Sequence, residues 1–309
     1  MSISRLAFWL IAALLHGVAT AAEDAATMTV NSNLSPAYVL EIPDSVHDIL
    51  IADAASSSLR RFVRTGDRIV EREHRYMSIG LNGLGKQRAW DRKTPLGVYF
   101  VTDEIDTGPL HEKYGAAAFA LDYPNAWDRK NRRTGGGIWL HGVDRRNPDR
   151  PPRDTDGCLA LPNEDIGQLR GVIEPEVTPV IVARSVHWRT PEQIRKTRRE
   201  FRRAIDAWKQ SLASGDLDTY LGLYAEDFSF HDMRRAEWTS YQIGVFRSRP
   251  LRAVIIEDLL LLDDPQQANL YMSRFTQVMV TKAGSIESRK RLYWRRLGKR
   301  WEIVSEDAG

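Results

Sequence analysis

Two short stretches of this chain, Ile138-Trp139-Leu140-His141-Gly142 and Thr155-Asp156-Gly157-Cys158, decide how its fold and chemistry are interpreted. The first is an apolar run that is typical of a short buried strand, and it ends on a histidine. The second places the only cysteine of the 309 residues directly after a glycine. A strand end is a rigid position for an imidazole, and glycine lets a ligand approach the backbone closely. The pattern therefore predicts a thiol and an imidazole at the two ends of one loop.

Cysteine chemistry gives this pairing a function. The thiolate is the nucleophile, and a neighbouring imidazole is the usual base that removes its proton. The backbone N–H groups around Gly157 and Cys158 would then form an oxyanion hole, which acyl transfer requires. The alternative is structural, because an isolated cysteine is often a buried packing residue and His141 would then be a core histidine.

The amino terminus predicts export. Arg5 precedes an apolar run over residues 6–15, and Ala19-Thr20-Ala21 supplies the small-x-small pattern that a signal peptidase needs. The run is shorter than the ~20 apolar residues of a membrane span. We expect a signal peptide over residues 1–21, a mature protein in the periplasm of a bacterial envelope, and no membrane span after signal removal. An uncleaved amino-terminal anchor is the alternative. An exported chain with a single cysteine forms no internal disulfide, so Cys158 is a packing residue, an intermolecular bridge or a reactive thiol.

The length predicts about two domains. Residues 22–47 are rich in Ala, Ser, Asn and Pro, and they predict an N-terminal extension that orders on docking or acts as a linker. Short strand patterns dominate residues 48–188, with one helix over Asn163–Ile173 for which Asn163 is the expected cap. This part of the chain predicts a mainly β domain.

Residues 189–309 have a different pattern. Apolar residues recur at helical spacing from Ile194 to Leu212 on an otherwise charged helix, and Gly215 ends it. A second helix, capped by Asp216, is expected to run as far as Tyr224. Three long strand patterns and a short terminal strand follow. Helices followed by an antiparallel meander predict an α+β domain.

Several functional classes are disfavoured by composition. The net charge is only +3, and no basic stripe is interleaved with aromatics, so no nucleic acid is expected as a partner. The histidines lack paired ligand spacing, and no His-Glu-x-x-His motif is present, so no metal is expected. The absence of a phosphate loop or dinucleotide fingerprint gives no reason to expect a cofactor.

Four ordered segments together resemble the L,D-transpeptidase (YkuD) family. Its pattern of His-Gly, a loop and Ser/Thr-x-Gly-Cys reads here as His141-Gly142 and Thr155-Asp156-Gly157-Cys158. Upstream, Ser78-Ile79-Gly80 and Thr94-Pro95-Leu96-Gly97-Val98-Tyr99 match earlier segments of the family. The resemblance spans roughly residues 48–188.

This resemblance implies a β-sandwich-like catalytic domain that acts on the stem peptides of peptidoglycan. Cys158 would attack the carbonyl at the third stem position to form a thioester, and His141 would act as base and then as acid. The acyl group would pass to an amine, which makes a crosslink, or to water, as in an L,D-carboxypeptidase or an amidase that releases anchored lipoprotein. The oxyanion hole and pocket would be formed by Gly142, Thr155, Asp156 and Gly157.

Two positions depart from the family pattern. Many members have His where this chain has Asp156, and Arg where it has Ala160. A carboxylate beside a thiol opposes thiolate formation unless it is turned away or bonded to the imidazole. The missing arginine removes a candidate clamp for a substrate carboxylate. The acceptor of the acyl group is therefore less certain than the nucleophile.

The second half of the chain resembles a nuclear-transport-factor-2-like domain, a curved sheet that wraps helices into a cone. The residues that carry this likeness are Ser214-Gly215-Asp216-Leu217-Asp218 and Tyr224-Ala225-Glu226-Asp227-Phe228, together with the terminal strands. The branch that joins the two domains includes L,D-carboxypeptidases. A non-catalytic envelope binding module, and a homodimer formed through the second domain, are hypotheses of a different class.

Overall fold

The structure, a computed structural model, describes residues 34–66, 68–248 and 251–309. The predicted signal peptide and residues 22–33 of the predicted extension lie outside the described residues. No helix within the described ranges is long and apolar enough to cross a membrane.

Short strands make up most of the first half of the chain. They are β1 (Ser35–Pro36), β2 (Val39–Glu41), β3 (Asp48–Asp53), β4 (Ser58–Thr65), β5 (Arg68–Tyr76), β6 (Ile79–Gly80), β7 (Gly97–Ile105), β8 (Ala118–Leu121), β9 (Trp139–His141), β10 (Arg153–Thr155), β11 (Leu159–Ala160), β12 (Pro179–Ala183) and β13 (Trp188–Arg189). The helical segments are a 3-10 turn (Glu112–Tyr114), α1 (Ala126–Lys130) and α2 (Asn163–Leu169).

The second half has three helices and longer strands. They are α3 (Pro191–Ser214), α4 (Leu217–Gly222), β14 (Tyr224–Phe230), β15 (Met233–Arg234), α5 (Arg235–Ser248), β16 (Ala253–Asp263), β17 (Leu270–Thr281), β18 (Gly284–Leu297) and β19 (Arg300–Asp307). The expected fold class, a mainly β first domain followed by a nuclear-transport-factor-2-like second domain, is confirmed.

An eight-stranded sheet, in the order β11-β9-β8-β7-β12-β3-β4-β5, organises the first domain. Its central strands β3 and β12 pair in parallel and are apolar on both faces. A strand covered on both faces needs a continuous apolar run rather than an alternating one. Leu50 and Val180 face one core, whereas Ile51 and Ile181 face the other.

The second core joins the two domains. Ile51 and Ile181 of the first sheet share it with Leu262 and Met272 of the second. The second sheet has seven strands in the order β15-β14-β19-β18-β17-β16-β2. Residues Ser35–Gly309 therefore form one compact unit.

The helix α3 forms where the apolar periodicity predicts it. Thr190 and Gln193 make a reciprocal capping box, and Gly215 ends the helix in the left-handed conformation at φ 75°. Phe201, Ile205 and Trp208 are buried on one face, as expected from their spacing.

The end of the predicted extension is a strand of the second sheet. Val39–Glu41 forms β2, which pairs antiparallel with β16 opposite Leu261 and Leu262. The side chains of Val39 and Leu40 are buried in two different cores. Burial of apolar side chains on both faces stabilises this short edge strand on the sheet.

Three local predictions need correction. The helix α2 ends at Leu169 rather than Ile173, and Asn163 lies within it instead of capping it. Tyr224 begins the strand β14 rather than ending a helix. The helix α5 was not predicted, because Trp238 is its only buried residue and its sequence shows no apolar stripe.

Candidate active site

The strand that ends in His141 and the strand that directly follows Cys158 are neighbours in the first sheet. In the parallel pairing of β9 with β11, Leu159 lies opposite Leu140, and Ala160 lies opposite His141. Because successive side chains of a strand alternate between its faces, the residue before Leu159 shares the face of His141. Cys158 and His141 accordingly line the same cavity, which has a volume of about 720 Å³.

His141 is held as a neutral base. Its ring is buried, and Nδ1 lies 2.5 Å from the carbonyl oxygen of Gly142. A carbonyl only accepts, so Nδ1 carries the proton and Nε2 has the free lone pair. The edge of the ring packs against Tyr114, with 5.3 Å between centroids. Burial lowers the pKa of His141 to about 4, and the positive charges of Arg150 and Lys113 act in the same direction.

Cys158 is held as a neutral thiol. Its Sγ accepts from the N–H of Trp139 at 3.4 Å and donates to the carbonyl oxygen of Gly137 at 3.4 Å. Burial raises the pKa of the Cys158 thiol, and the Trp139 N–H opposes that shift only in part. The resting pair is therefore thiol and imidazole rather than thiolate and imidazolium.

A hydroxyl fixes the loop that carries Cys158. Thr155 Oγ1 accepts from the N–H of Gly157 at 3.1 Å and donates to the carbonyl oxygen of Cys158 at 2.7 Å. Gly157 has φ +130°, and a Cβ there would lie 2.8 Å from the Lys93 carbonyl oxygen, so only glycine fits. Within the described part of the chain the N–H of Cys158 donates to no acceptor. Of the Gly157 and Cys158 N–H groups, that of Cys158 is therefore the one that is free for a substrate oxygen.

The side chain of Asp156 pairs with Arg92 rather than with the imidazole of His141. Its carboxylate accepts from Nε of Arg92 at 3.1 Å, and both side chains are more than half exposed. An exposed pair of this kind contributes little to stability, about 0–1 kcal/mol. Asp156 lines the cavity beside Cys158, and its negative charge acts to raise the pKa of the thiol.

Gly142 and Asn163 hold the end of the histidine strand. The N–H of Gly142 donates to the carbonyl oxygens of Tyr114 and Ala117, both at 3.1 Å. A Cβ on Gly142 would lie 2.3 Å from Asn163 Oδ1. The Asn163 amide bonds both backbone groups of Val143, with Oδ1 accepting at 3.3 Å and Nδ2 donating at 2.8 Å. Asn163 therefore positions the turn after His141, a role that the sequence does not indicate.

An almost fully exposed aromatic side chain lies at the rim of the cavity. Trp90 is 93% exposed at φ +64°, a backbone conformation that is costly for a bulky residue. Its loop is organised around Asp91, whose carboxylate accepts from the backbone N–H groups of Gln87, Arg88 and Lys93. Sequence reasoning missed Trp90 and Tyr114, which no motif marks.

Within the described ranges, no group of three or more His, Cys, Asp or Glu residues is arranged to hold a metal ion.

Family models assign both halves of the chain. Residues 47–182 match the model of the YkuD L,D-transpeptidase catalytic domain. Residues 200–307 match the model of the Cds6 C-terminal NTF2-like domain. No curated protein sequence matches this chain.

Two solved structures share the fold over nearly their whole length. Bd1075 from Bdellovibrio bacteriovorus is 23% identical, covers 89% of this chain and 98% of its own, and has a TM-score of 0.75. The helical cell shape determining protein Pgp2 from Campylobacter jejuni is 25% identical, covers 88% of this chain and 95% of its own, and has a TM-score of 0.74. The chain therefore carries a YkuD L,D-transpeptidase catalytic domain followed by an NTF2-like domain, and it is a peptidoglycan-related protein of the L,D-transpeptidase family.

Proposed function

We propose that this protein is a periplasmic cysteine acyl-transfer enzyme that acts on peptidoglycan stem peptides. The observation that carries the proposal is that His141 ends one strand and Cys158 directly precedes the parallel strand beside it, so that both line one cavity in a domain that matches the L,D-transpeptidase model. Both residues are neutral at rest, which suits a base that takes the thiol proton during attack.

The first half-reaction forms a thioester. Nε2 of His141 takes the proton of Cys158 as Sγ bonds to the carbonyl carbon of the third stem residue. The carbonyl oxygen gains negative charge, and the N–H of Cys158 is placed to donate to it. The C–N bond then breaks, and His141 returns its proton to the leaving amine.

The second half-reaction releases the acyl group. An amine or a water molecule loses a proton to His141 and attacks the thioester carbon, and the C–S bond breaks to restore the thiol. An amine acceptor gives a crosslink, whereas water gives a trimmed stem. We place the family's transfer chemistry first, because the site supports the thioester step and leaves its acceptor open.

The hydrolytic outcome is the second candidate. It is favoured by the joining of the two domains in one chain and by the likeness to Pgp2, which is described as determining helical cell shape. As an L,D-carboxypeptidase, the enzyme would shorten tetrapeptide stems. As an amidase of the same chemistry, it would release lipoprotein attached at the third position.

Defined muropeptides separate these outcomes. The purified protein, its Cys158→Ala variant and its His141→Gln variant are incubated with tetrapeptide and pentapeptide muropeptides, and the products are identified by mass spectrometry. Dimers linked between third positions indicate transpeptidation, and tripeptide alone indicates carboxypeptidation. Absence of any Cys158-dependent product would refute the catalytic proposal and favour an envelope binding module.

Export and assembly are separate parts of the proposal. Cell fractionation and amino-terminal sequencing of the mature protein test for cleavage near residue 21 and for a periplasmic location. Sedimentation over a range of concentrations tests for a homodimer.

A further inference from the structure

Four cations line the cavity that holds the reactive pair. They are Lys86, Arg92, Lys113 and Arg150. Lys86 is bonded to Asp91 at 2.9 Å, and Arg92 to Asp156 at 3.1 Å. Arg150 lies 3.8 Å from the Asp154 carboxylate and donates to the Asp154 carbonyl oxygen at 3.1 Å.

Lys113 differs from the other three cations. Among the described residues, no carboxylate lies within 4.0 Å of its ammonium group. Its Nζ lies 5.1 Å from the centroid of the Tyr114 ring, on the ring face. An aromatic face attracts a cation weakly but does not neutralise it. Of the four cations that line this cavity, Lys113 is therefore the one whose charge is available to bind an anionic ligand.

The position of Lys113 is tied to the reactive pair. Its backbone N–H donates to His111 Nδ1 at 3.1 Å, which caps the 3-10 turn. The next residue, Tyr114, packs on the rings of both His141 and Trp139, and its carbonyl accepts from Gly142. The turn that carries Lys113 is therefore locked against the histidine strand.

The positive charge of Lys113 affects the pKa of both Cys158 and His141. It lowers the pKa of the Cys158 thiol and that of the His141 imidazole, as a nearby positive charge must. Lys113 also lines the same cavity as Cys158 and His141, so its side chain borders the space in which a substrate group beside the bond under attack would lie.

Covalent geometry then identifies that group. In an amino acid the carboxyl carbon lies only two bonds from the nitrogen, at roughly 2.5 Å. When the leaving amine belongs to the last residue of a stem, its free carboxylate lies beside the scissile bond. Each further residue carries that carboxylate up to about 3.3–3.6 Å farther away.

We infer that Lys113 binds the terminal carboxylate of a stem peptide that ends one residue beyond the bond to be cut. The inference rests on the proposed function, because it assigns a subsite to the same reaction. The thioester forms on Cys158, the C–N bond breaks, and the departing amino acid takes its proton from His141. Its carboxylate remains on Lys113 until it leaves. The site thereby selects stems with a free end at the fourth residue.

Matched substrates test this inference. A stem tetrapeptide with a free C-terminal carboxylate is compared with the same peptide ending in a carboxamide, and release of the fourth residue is measured as kcat/KM. The wild type is expected to prefer the acid by about 10–100-fold, the range of one charge-assisted contact. Lys113→Met should lower the acid rate toward the amide rate, and Lys113→Arg should keep most of the preference.

The acid-to-amide ratio isolates carboxylate binding from other effects. Loss of the Lys113 charge also changes the reactivity of Cys158, but that change affects both peptides equally and cancels in the ratio. Lys282→Met removes the same charge at an exposed turn of the second domain and should leave the ratio unchanged.

Two failures are distinguishable. If Lys113→Met keeps the wild-type ratio, or if the wild type shows no preference, the carboxylate subsite is refuted while the thioester chemistry stands. If neither peptide gives a Cys158-dependent product, the proposed function fails, and this inference fails with it.

Discussion

Ala160 lies directly opposite His141 across two parallel strands, and both side chains are buried. The backbone of Ala160 exchanges two hydrogen bonds with Ser78, each at 2.9 Å, so the position has little freedom to move. A methyl group is what this site accommodates. The departure from arginine at this position therefore places a buried methyl group, rather than a cation, beside the histidine strand.

The first prediction concerns Ala160→Arg. The new guanidinium would be buried without a carboxylate partner and would displace the ring of His141, so we expect the free energy of unfolding to fall by about 3 kcal/mol or more. Chemical denaturation measures this change. Ala160→Ser, which adds one small group, should cost far less. An arginine variant as stable as the wild type would contradict the packing described for this site.

Thr155→Val tests the hydrogen bonds that hold the loop of Cys158. The substitution keeps the shape of the side chain but removes both hydrogen bonds, to the Gly157 N–H and to the Cys158 carbonyl. We expect a loss of about 1–3 kcal/mol in stability from the unsatisfied groups. We also expect at least about a tenfold loss in kcat from the displaced thiol. Thr155→Ser retains the hydroxyl and should retain most activity. Equal activity of the two variants would show that the hydroxyl does not position Cys158.

The alkylation of Cys158 should follow a distinctive pH profile. Because burial raises the pKa of the thiol, labelling by iodoacetamide should rise with pH and reach half its maximum above the ordinary thiol value of about 8.5. Asp156→Asn removes a nearby negative charge and should move the profile toward lower pH. Asp149→Asn, at an exposed position of the same loop, should not move it. A rate that is already maximal near pH 6 would instead indicate a thiolate–imidazolium pair.

The sequence predicts elements whose stability is local. The helix α3 was predictable because Phe201, Ile205 and Trp208 form one apolar face. By contrast, α5 buries only Trp238, so its helicity depends on packing that no local pattern shows. Asn163 illustrates a different difficulty. Asparagine is a common helix-capping residue, but the side-chain oxygen of Asn163 accepts from the backbone N–H groups of Ala116 and Val143, which are distant in the chain.

The candidate site was predictable to the same extent. Cys158 and His141 were identified from the chemistry of their side chains and the spacing of their motifs. The contribution of Lys113 and Tyr114 depends on the fold, because only the pairing of β8 with β9 brings their turn onto the histidine strand. Motif reasoning finds the candidate reactive groups, whereas the side chains packed around them are found through tertiary contacts.

Gly97→Ala tests the contact between the domains. Gly97 has φ +137°, and a Cβ there would lie 2.4 Å from Gln266 Nε2. That amide bonds the Tyr99 hydroxyl at 3.4 Å and Asp128 Oδ1 at 3.2 Å. Backbone strain and loss of these bonds should lower the free energy of unfolding by about 2–4 kcal/mol. Adding Gln266→Ala removes the clash but not the strain, so the double variant should be less destabilised than the sum of the two single variants. Strict additivity would show that the two residues do not interact.

The last prediction concerns the pH dependence of stability at Asp264, a fully buried residue of the hairpin that faces the first domain. Its Oδ1 accepts from the Gln266 N–H at 2.9 Å, whereas Oδ2 has no partner within the described residues. Burial raises the pKa of Asp264 to about 7, and the negative charges of Asp128 and Asp263 add to the shift. The folded state therefore holds a proton that the unfolded chain releases near pH 4. This contribution is full below pH 4 and is lost as pH rises to 7, for a total of about 4 kcal/mol.

His141 acts in the opposite direction, because its lowered pKa makes stability rise between about pH 4 and 6.5. The comparison must therefore be made between variants rather than across pH alone. Asp264→Asn cannot ionise, so its stability relative to the wild type should increase by several kcal/mol from pH 4 to pH 8 in chemical denaturation. Asp206→Asn, on an exposed face of α3, should show a constant difference from the wild type over the same range. If the Asp264→Asn difference is equally constant, the carboxyl group does not hold its proton in the folded protein, and the negative charge must be stabilised at the domain contact.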